Sequence, residues 1–146
     1  MKNVLPGESI ILGDTRALSP EANKTIEESM KQIVEGIAKA HNIEFSFSYN
    51  VQTQMTINTS TQVQTAIDVA KNLVGNELVD GDCEPKLFSE DFAQMLSVKP
   101  GCYMLIGNGT EGSNGKSLHS ADYDFNDELL VIGSSFWSEL VTKQLS

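Results

Sequence analysis

Ile43-Glu44-Phe45-Ser46-Phe47-Ser48-Tyr49 alternates an apolar residue with a polar one at every step. Successive side chains of an extended chain point to opposite faces, so this segment reads as a strand with one face buried and one wet. Just upstream, Ser19-Pro20-Glu21 is a helix start: a Ser oxygen accepts from free N–H groups, Pro loses no hydrogen bond at the first helical position, and an early Glu suits the helix dipole. Ile26, Met30, Ile33, Val34 and Ile37 follow at spacings of three and four. They share one stripe and predict an amphipathic helix from Pro20 to about Ala40. Further upstream, Glu8 to Arg16, centred on β-branched Ile10 and Ile11, reads as another strand. Residues 1–53 therefore read strand, helix, strand, with one face of a small sheet resting on the helix.

Downstream, the polar stretch from Gln52 to Ser60 marks a boundary that divides the chain into 1–53 and 54–146. Thr61 to Val74 predicts a second helix that carries Val63, Ala66, Ile67, Ala70 and Leu73 on one face and stops at Gly75. Ser89 caps a short helix through Glu90, Asp91, Phe92 and Met95, and Pro100-Gly101 opens a buried strand, Cys102 to Ile106. A glycine-rich stretch, Gly107 to Gly115, comes next. A last helix from about Asp127 to Lys143 buries Leu129, Ile132, Phe136, Leu140 and Val141. The expected order is α+β first and α/β second, with no internal repeat.

Composition narrows the function. The chain has 146 residues and ten Lys+Arg against twenty Asp+Glu, a net charge of −10 that repels a phosphate backbone and argues against nucleic acid as a partner. No apolar run approaches the roughly 18 residues of a membrane span, and the first residues carry no apolar signal region. Cys83 and Cys102 form no Cys-x-x-Cys pair, which favours free thiols in a reducing, cytoplasmic setting.

Several motifs mimic chemistry. Gly107-Asn108-Gly109-Thr110-Glu111-Gly112 is literally G-x-G-x-x-G after a strand, but Ser113-Asn114-Gly115-Lys116-Ser117 does not suit the first turns of a helix and no βαβ unit follows. The P-loop reading of Gly115-Lys116-Ser117 fails because Thr110 stands where a glycine is required. The loop reads instead as flexible backbone beside a cleft. His41 follows a helix end, where a cation complements the dipole. His119 lies between the glycines and the acidic residues Asp122, Asp124, Asp127 and Glu128, a setting that also suits a metal ligand. A hydrolytic metal centre needs about three protein ligands and an open water position, and this chain has no H-x-x-x-H or H-x-D, while its Glu27-Glu28 pair lies within the predicted first helix with no histidine motif beside it. The acidic run lacks EF-hand spacing, and Asp127 and Glu128 favour the start of the last helix. Asn23, Asn58 and Asn108 begin Asn-x-Ser/Thr sequons that carry no meaning in a cytosolic protein. Neither Ser nor Cys has a His/acid set for nucleophilic catalysis, Cys102 lying within an apolar segment.

Asn3-Val4-Leu5-Pro6, Gly13-Asp14-Thr15-Arg16, Ser89-Glu90-Asp91-Phe92-Ala93, Pro100-Gly101, Gly107-Asn108-Gly109, Leu118-His119 and Tyr123-Asp124-Phe125-Asn126-Asp127-Glu128 occur in that order. Together they resemble the metal-dependent amidohydrolases: N-acyl-amino-acid amidohydrolases, hippurate hydrolases and plant indoleacetyl-amino-acid hydrolases, relatives of aminoacylase and carboxypeptidase G. The resemblance spans this chain but only the C-terminal part of the family pattern. It implies that residues 1–53 are the second half of a small βαββαβ lid, or dimerisation, domain, and that 54–146 are the final α/β segment of the catalytic domain. It implies His119 as the last metal ligand, and Asn3 and Arg16 as holders of the substrate carboxylate. An amide donor and a bidentate guanidinium suit that task, although a surface salt bridge is the plainer reading of Arg16. The family's Cys/His pair, its Glu-Glu with the general base and its middle metal His have no counterpart here, and Cys102 does not match the metal-binding Cys. Phe88 stands where relatives commonly have Gly, a bulk that narrows the acyl pocket or marks relaxed constraint.

The resemblance implies the C-terminal portion of an N-acyl-amino-acid hydrolase that uses zinc or manganese when whole, inactive and metal-free alone. Such a chain is a truncated gene product, an excised piece or half of a split enzyme, with an upstream half or a second copy as partner. The alternative is a non-catalytic dimerisation or binding module that uses the exposed edge of the 1–53 sheet.

Overall fold

The computed structural model describes residues 6–146. Its helices are α1 (Pro20–His41), α2 (Ser60–Val74), α3 (Phe92–Leu96) and α4 (Leu129–Leu145), with a single 3₁₀ turn at Asn76–Leu78. The chain divides into two compact units. One runs up to Met55 and includes Pro85–Phe88; the other comprises Thr56–Glu84 and Ser89–Ser146. No helix among the described residues is long and apolar enough to cross a membrane.

The first unit is built on α1, whose ends follow the sequence signals. Ala22 N–H donates to Ser19 Oγ at 3.0 Å, Pro20 opens the first turn, and Asn42 closes the helix in the left-handed conformation at φ 52, ψ 48. Asn reaches that region more readily than most side chains, which lets its N–H return to the Ala38 and Lys39 carbonyls. The apolar stripe is present but largely uncovered: Ile33 is 61% and Ile37 55% exposed, and Ala38 is the helix's buried residue.

The expected strands do not form; among the described residues no segment is a strand. A strand is held by a ladder to a neighbour. Alternation in Ile43–Tyr49 supplies a face but not a partner, while Ile10, Ile11 and Leu12 of the other expected strand stand 73%, 96% and 89% exposed. Side chains join the two segments instead. Tyr49 Oη donates to Asn23 Oδ1 at 2.7 Å and lies 2.6 Å from Thr15 Oγ1. A phenol has a single proton, so Thr15 is the donor in the second bond. The sheet that an α+β reading of 1–53 requires is therefore not formed, and a small polar knot on α1 stands in its place.

The second unit has the chain's main core. Ala66 and Val69 of α2 and Phe136 of α4 are buried together, with Ala70, Leu73, Cys102, Met104 and Leu140 packed around them. Burying a side chain such as Phe136 contributes about 1.5–3 kcal/mol. Gly75 ends α2 at φ 93, a conformation L side chains rarely adopt, and its N–H reaches Lys71 O. Lys143 Nζ lies 3.0 Å from Asp68 Oδ2 and ties α4 to α2 at the surface. Of the predicted α4 face, Phe136 is buried and Leu140 packs on the core, whereas Val141 is 53% exposed. Helix α3 begins at Phe92, with Asp91 rather than Ser89 in the capping position.

Cys102–Ile106 also lacks a ladder, yet it is anchored. Asn58 Nδ2 donates to Tyr103 O at 2.9 Å while Tyr103 N–H donates to Asn58 Oδ1 at 2.8 Å. Thr59 N–H donates to Gly101 O at 2.9 Å. A carboxamide offers the same donor and acceptor as a peptide group, so Asn58 supplies one rung of a missing strand. Cys102 and Met104 face the core, while Leu105 and Ile106 are 56% and 50% exposed; the segment is covered on one side, not buried on both as expected.

Phe136→Ala is expected to destabilise the second unit by about 3–5 kcal/mol. Leu130→Ala, on the exposed side of α4, is expected to stay within about 0.5 kcal/mol of the parent. Urea unfolding followed by Trp137 fluorescence checks both, and equal effects would contradict the described core.

Candidate functional site

Loop 107–128 leaves the anchored segment, carries His119 and delivers the chain to α4. Its shape depends on one carboxamide. Asn108 Nδ2 donates to Asn114 O at 3.0 Å and to Asp124 O at 2.8 Å. Asn108 Oδ1 accepts from Asn126 N–H at 2.9 Å, and Asn126 Nδ2 returns a bond to Asn108 O at 3.2 Å. Asn126 Oδ1 accepts from Glu128 N–H at 3.1 Å, and Leu129 N–H, at the start of α4, donates to Asn126 O at 3.0 Å. The G-x-G-x-x-G stretch is thus a closed turn tied at several points, rather than the flexible backbone the sequence suggests. Gly115 fits there because it has no side chain: a Cβ would lie 2.5 Å from the Thr110 carbonyl carbon.

His119 is exposed and sits at φ 70, one of two described non-glycine residues with a positive φ, the other being Asn42. Ser120 N–H donates to Ser117 O at 3.0 Å. Lys116 Nζ lies 3.1 Å from Asp122 Oδ2, and Ser120 Oγ donates to Asp122 Oδ1. The Ser120 hydroxyl, then the Lys116 ammonium, hold the Asp122 carboxyl below the usual carboxylate range. Tyr123 and Phe125 meet edge to face at 5.1 Å. Asp127 and Glu128 immediately precede α4, as the dipole argument expects.

Among the described residues no group of three or more His, Cys, Asp or Glu side chains is placed to hold a metal ion. His119 presents one accessible imidazole, so the residues present do not by themselves fit a divalent ion. Arg16 is exposed and belongs to the first unit, His119 to the second. Asn3 lies outside the described residues. Phe88, grouped with the first unit, is 48% exposed. His41 ends α1 beside Lys39, the surface setting expected of it. Burial pushes the Cys102 thiol above its ordinary range, whereas Cys83 is exposed. A separate apolar groove of about 420 Å³ lies between Phe92, Met95 and Leu96 of α3 and Val98 and Pro100 after it.

Residues 6–143 match peptidase family M20/M25/M40. The chain belongs to this family of metal-dependent amidohydrolases. It is 34% identical to the hippurate hydrolase of Campylobacter jejuni over 143 residues, which are 98% of this chain and 36% of that protein. It is 28% identical to the N-acetylcysteine deacetylase of Bacillus subtilis over 94% of this chain and 34% of that one. With the N-acetyldiaminopimelate deacetylase of Lactobacillus helveticus the figures are 25% identity, 91% and 34%. The chain therefore spans about a third of the length of these curated M20 relatives. No solved structure matches it.

Sequence reasoning quoted Asn108 and Asn126 within motifs but gave neither the loop-tying role the structure shows. The available signal was an Asn placed at a turn beside Gly, a residue type whose amide competes for backbone groups.

Two outcomes follow for this M20 chain. A thiol reagent is expected to modify Cys83 first and Cys102 only slowly until the chain unfolds; equal rates would contradict the packing of Cys102. The Asp122 carboxyl is lowered in the folded chain, so its pairing contributes above the unfolded value of about 3.9 and is lost as pH falls through the lower folded value. Carboxyl NMR is expected to show an Asp122 midpoint below about 3.9; a midpoint at or above it would remove the pairing with Lys116 and Ser120.

Proposed function

We propose that this sequence is the C-terminal portion of a metal-dependent N-acyl-amino-acid amidohydrolase and is inactive by itself. The coverage carries this reading: 98% of the chain aligns with 36% of a hippurate hydrolase. Uncovered apolar side chains in each unit support it: Ile10, Ile11 and Leu12 in the first, and Leu130, Val131 and Trp137 on α4 in the second, are more than half exposed.

In this proposal residues 1–53 are half of a lid domain of βαββαβ type, and 54–146 close an α/β catalytic domain. The strands read from the sequence complete their ladders when the rest of the fold supplies neighbours. The substrate class is a small N-acyl amino acid; hydrolysis adds water across the amide, breaks the C–N bond and leaves a carboxylate and a protonated amine. Arg16 clamps the substrate carboxylate through two N–H groups and Asn3 adds an amide donor. His119 offers one imidazole nitrogen as a ligand to the divalent zinc or manganese of the whole enzyme. The remaining ligands and the general base are not among this chain's motifs.

A second reading, a non-catalytic module that pairs with a second copy, is favoured by the exposed run Ile10, Ile11 and Leu12. Sedimentation at micromolar concentration separates the two: a clean monomer counts against self-pairing.

The purified chain, supplied with zinc or manganese, is expected not to hydrolyse hippurate or an acetyl-amino acid, and measurable turnover would refute the half-enzyme proposal. A chimera in which this chain replaces the matched 143 residues of the Campylobacter hydrolase is expected to cleave hippurate. In it, His119→Ala is expected to lower kcat at least about 100-fold and Arg16→Ala to raise KM about tenfold or more, following the loss of about 1.4 kcal/mol of binding per factor of ten.

A further inference from the structure

Among the side chains that tie loop 107–128, Asn108 bridges it at a particular place. The two Asn108 Nδ2 protons go to the carbonyls of Asn114 and Asp124, and His119 lies midway, five positions from each. The carboxamide oxygen takes Asn126 N–H, and Asn126 in turn holds the entry to α4 through Glu128 N–H and Leu129 N–H. Both N–H groups and the oxygen of one amide are thus used on three separate points of the loop, and both Asn108 and Asn126 are partly buried. The stem on one side is Cys102–Ile106, fixed on the core by Asn58. On the other side it is α4, fixed by Phe136.

We infer that Asn108 is the positioning residue of His119: its carboxamide pins the chain on both sides of the imidazole and refers it to the rigid pair α2 and α4. The inference rests on the reading of His119 as a functional imidazole, and it adds a residue whose role is geometric rather than chemical. Only a carboxamide meets the demand. The two carbonyls need donors and Asn126 N–H needs an acceptor, so Asp at 108 would keep one bond and set an oxygen against the Asn114 and Asp124 carbonyls.

The test uses the chain itself and Asn108→Asp. Amide hydrogen exchange is expected to quicken at least tenfold at Gly115, Ser120 and Tyr123, while the amides of α2 keep their rates; the His119 Cε1–Hε1 NMR signal is expected to move or broaden with that of His41 unchanged. Loop exchange within twofold of the parent, with an unmoved His119 signal, would overturn the inference. Should Asn108→Asp lose α2 protection as well, Asn108→Ala, which removes the same three bonds without adding a charge, is read in the same way. In the hippurate hydrolase chimera Asn108→Asp is expected to lower kcat at least 30-fold with KM within threefold, and an unchanged kcat despite a loosened loop would also overturn it. A chimera inactive even with Asn108 present would count against the proposed function, while the exchange rates still decide whether Asn108 holds the loop.

Discussion

The packing of Phe136 against Ala66 and Val69 is the contact from which the second unit hangs. It brings α2 and α4 together and gives Cys102 and Met104 a surface to lie on. That in turn fixes both stems of the loop that carries His119. Removing water from this small apolar cluster is the dominant favourable term available to the unit. Polar devices such as the Asp68–Lys143 ion pair act at its margin, where solvent screens them.

Away from that cluster, side-chain amides join segments that no strand ladder connects. Asn23 accepts from Tyr49, Asn58 exchanges two bonds with Tyr103, and Asn108 spans the loop. These are the three asparagines that begin Asn-x-Ser/Thr triplets, so a pattern dismissed as a chance modification motif marks the residues that join distant segments. The physical link is modest but real: a short carboxamide beside small hydroxylated or glycine neighbours can reach backbone groups that a longer or apolar side chain cannot.

Helices were legible because their signals are local. Ser19-Pro20 and Gly75 each act within a turn of the residue that carries them, and the ends of α1 and α2 fall within a residue or two of where the sequence puts them. Strands were not, because alternation in Ile43–Tyr49 or β-branching at Ile10 and Ile11 states which face seeks cover and says nothing of what covers it. The candidate residues divide the same way. His119 and Arg16 stood out by residue type and by the motifs that hold them. Asn108 stood in such a motif too, but no role could be read for it, since its bonds run to residues 6, 16 and 18 positions away that no local pattern announces.

Gly115 limits how this loop can vary. Any side chain there must displace the Thr110 and Glu111 backbone, which a Cβ would approach to 2.5 Å, and the displacement enters the loop four residues before His119. Even alanine is therefore a steric fault at the point where the chain doubles back, and the loop keeps its course only while that position carries a bare hydrogen.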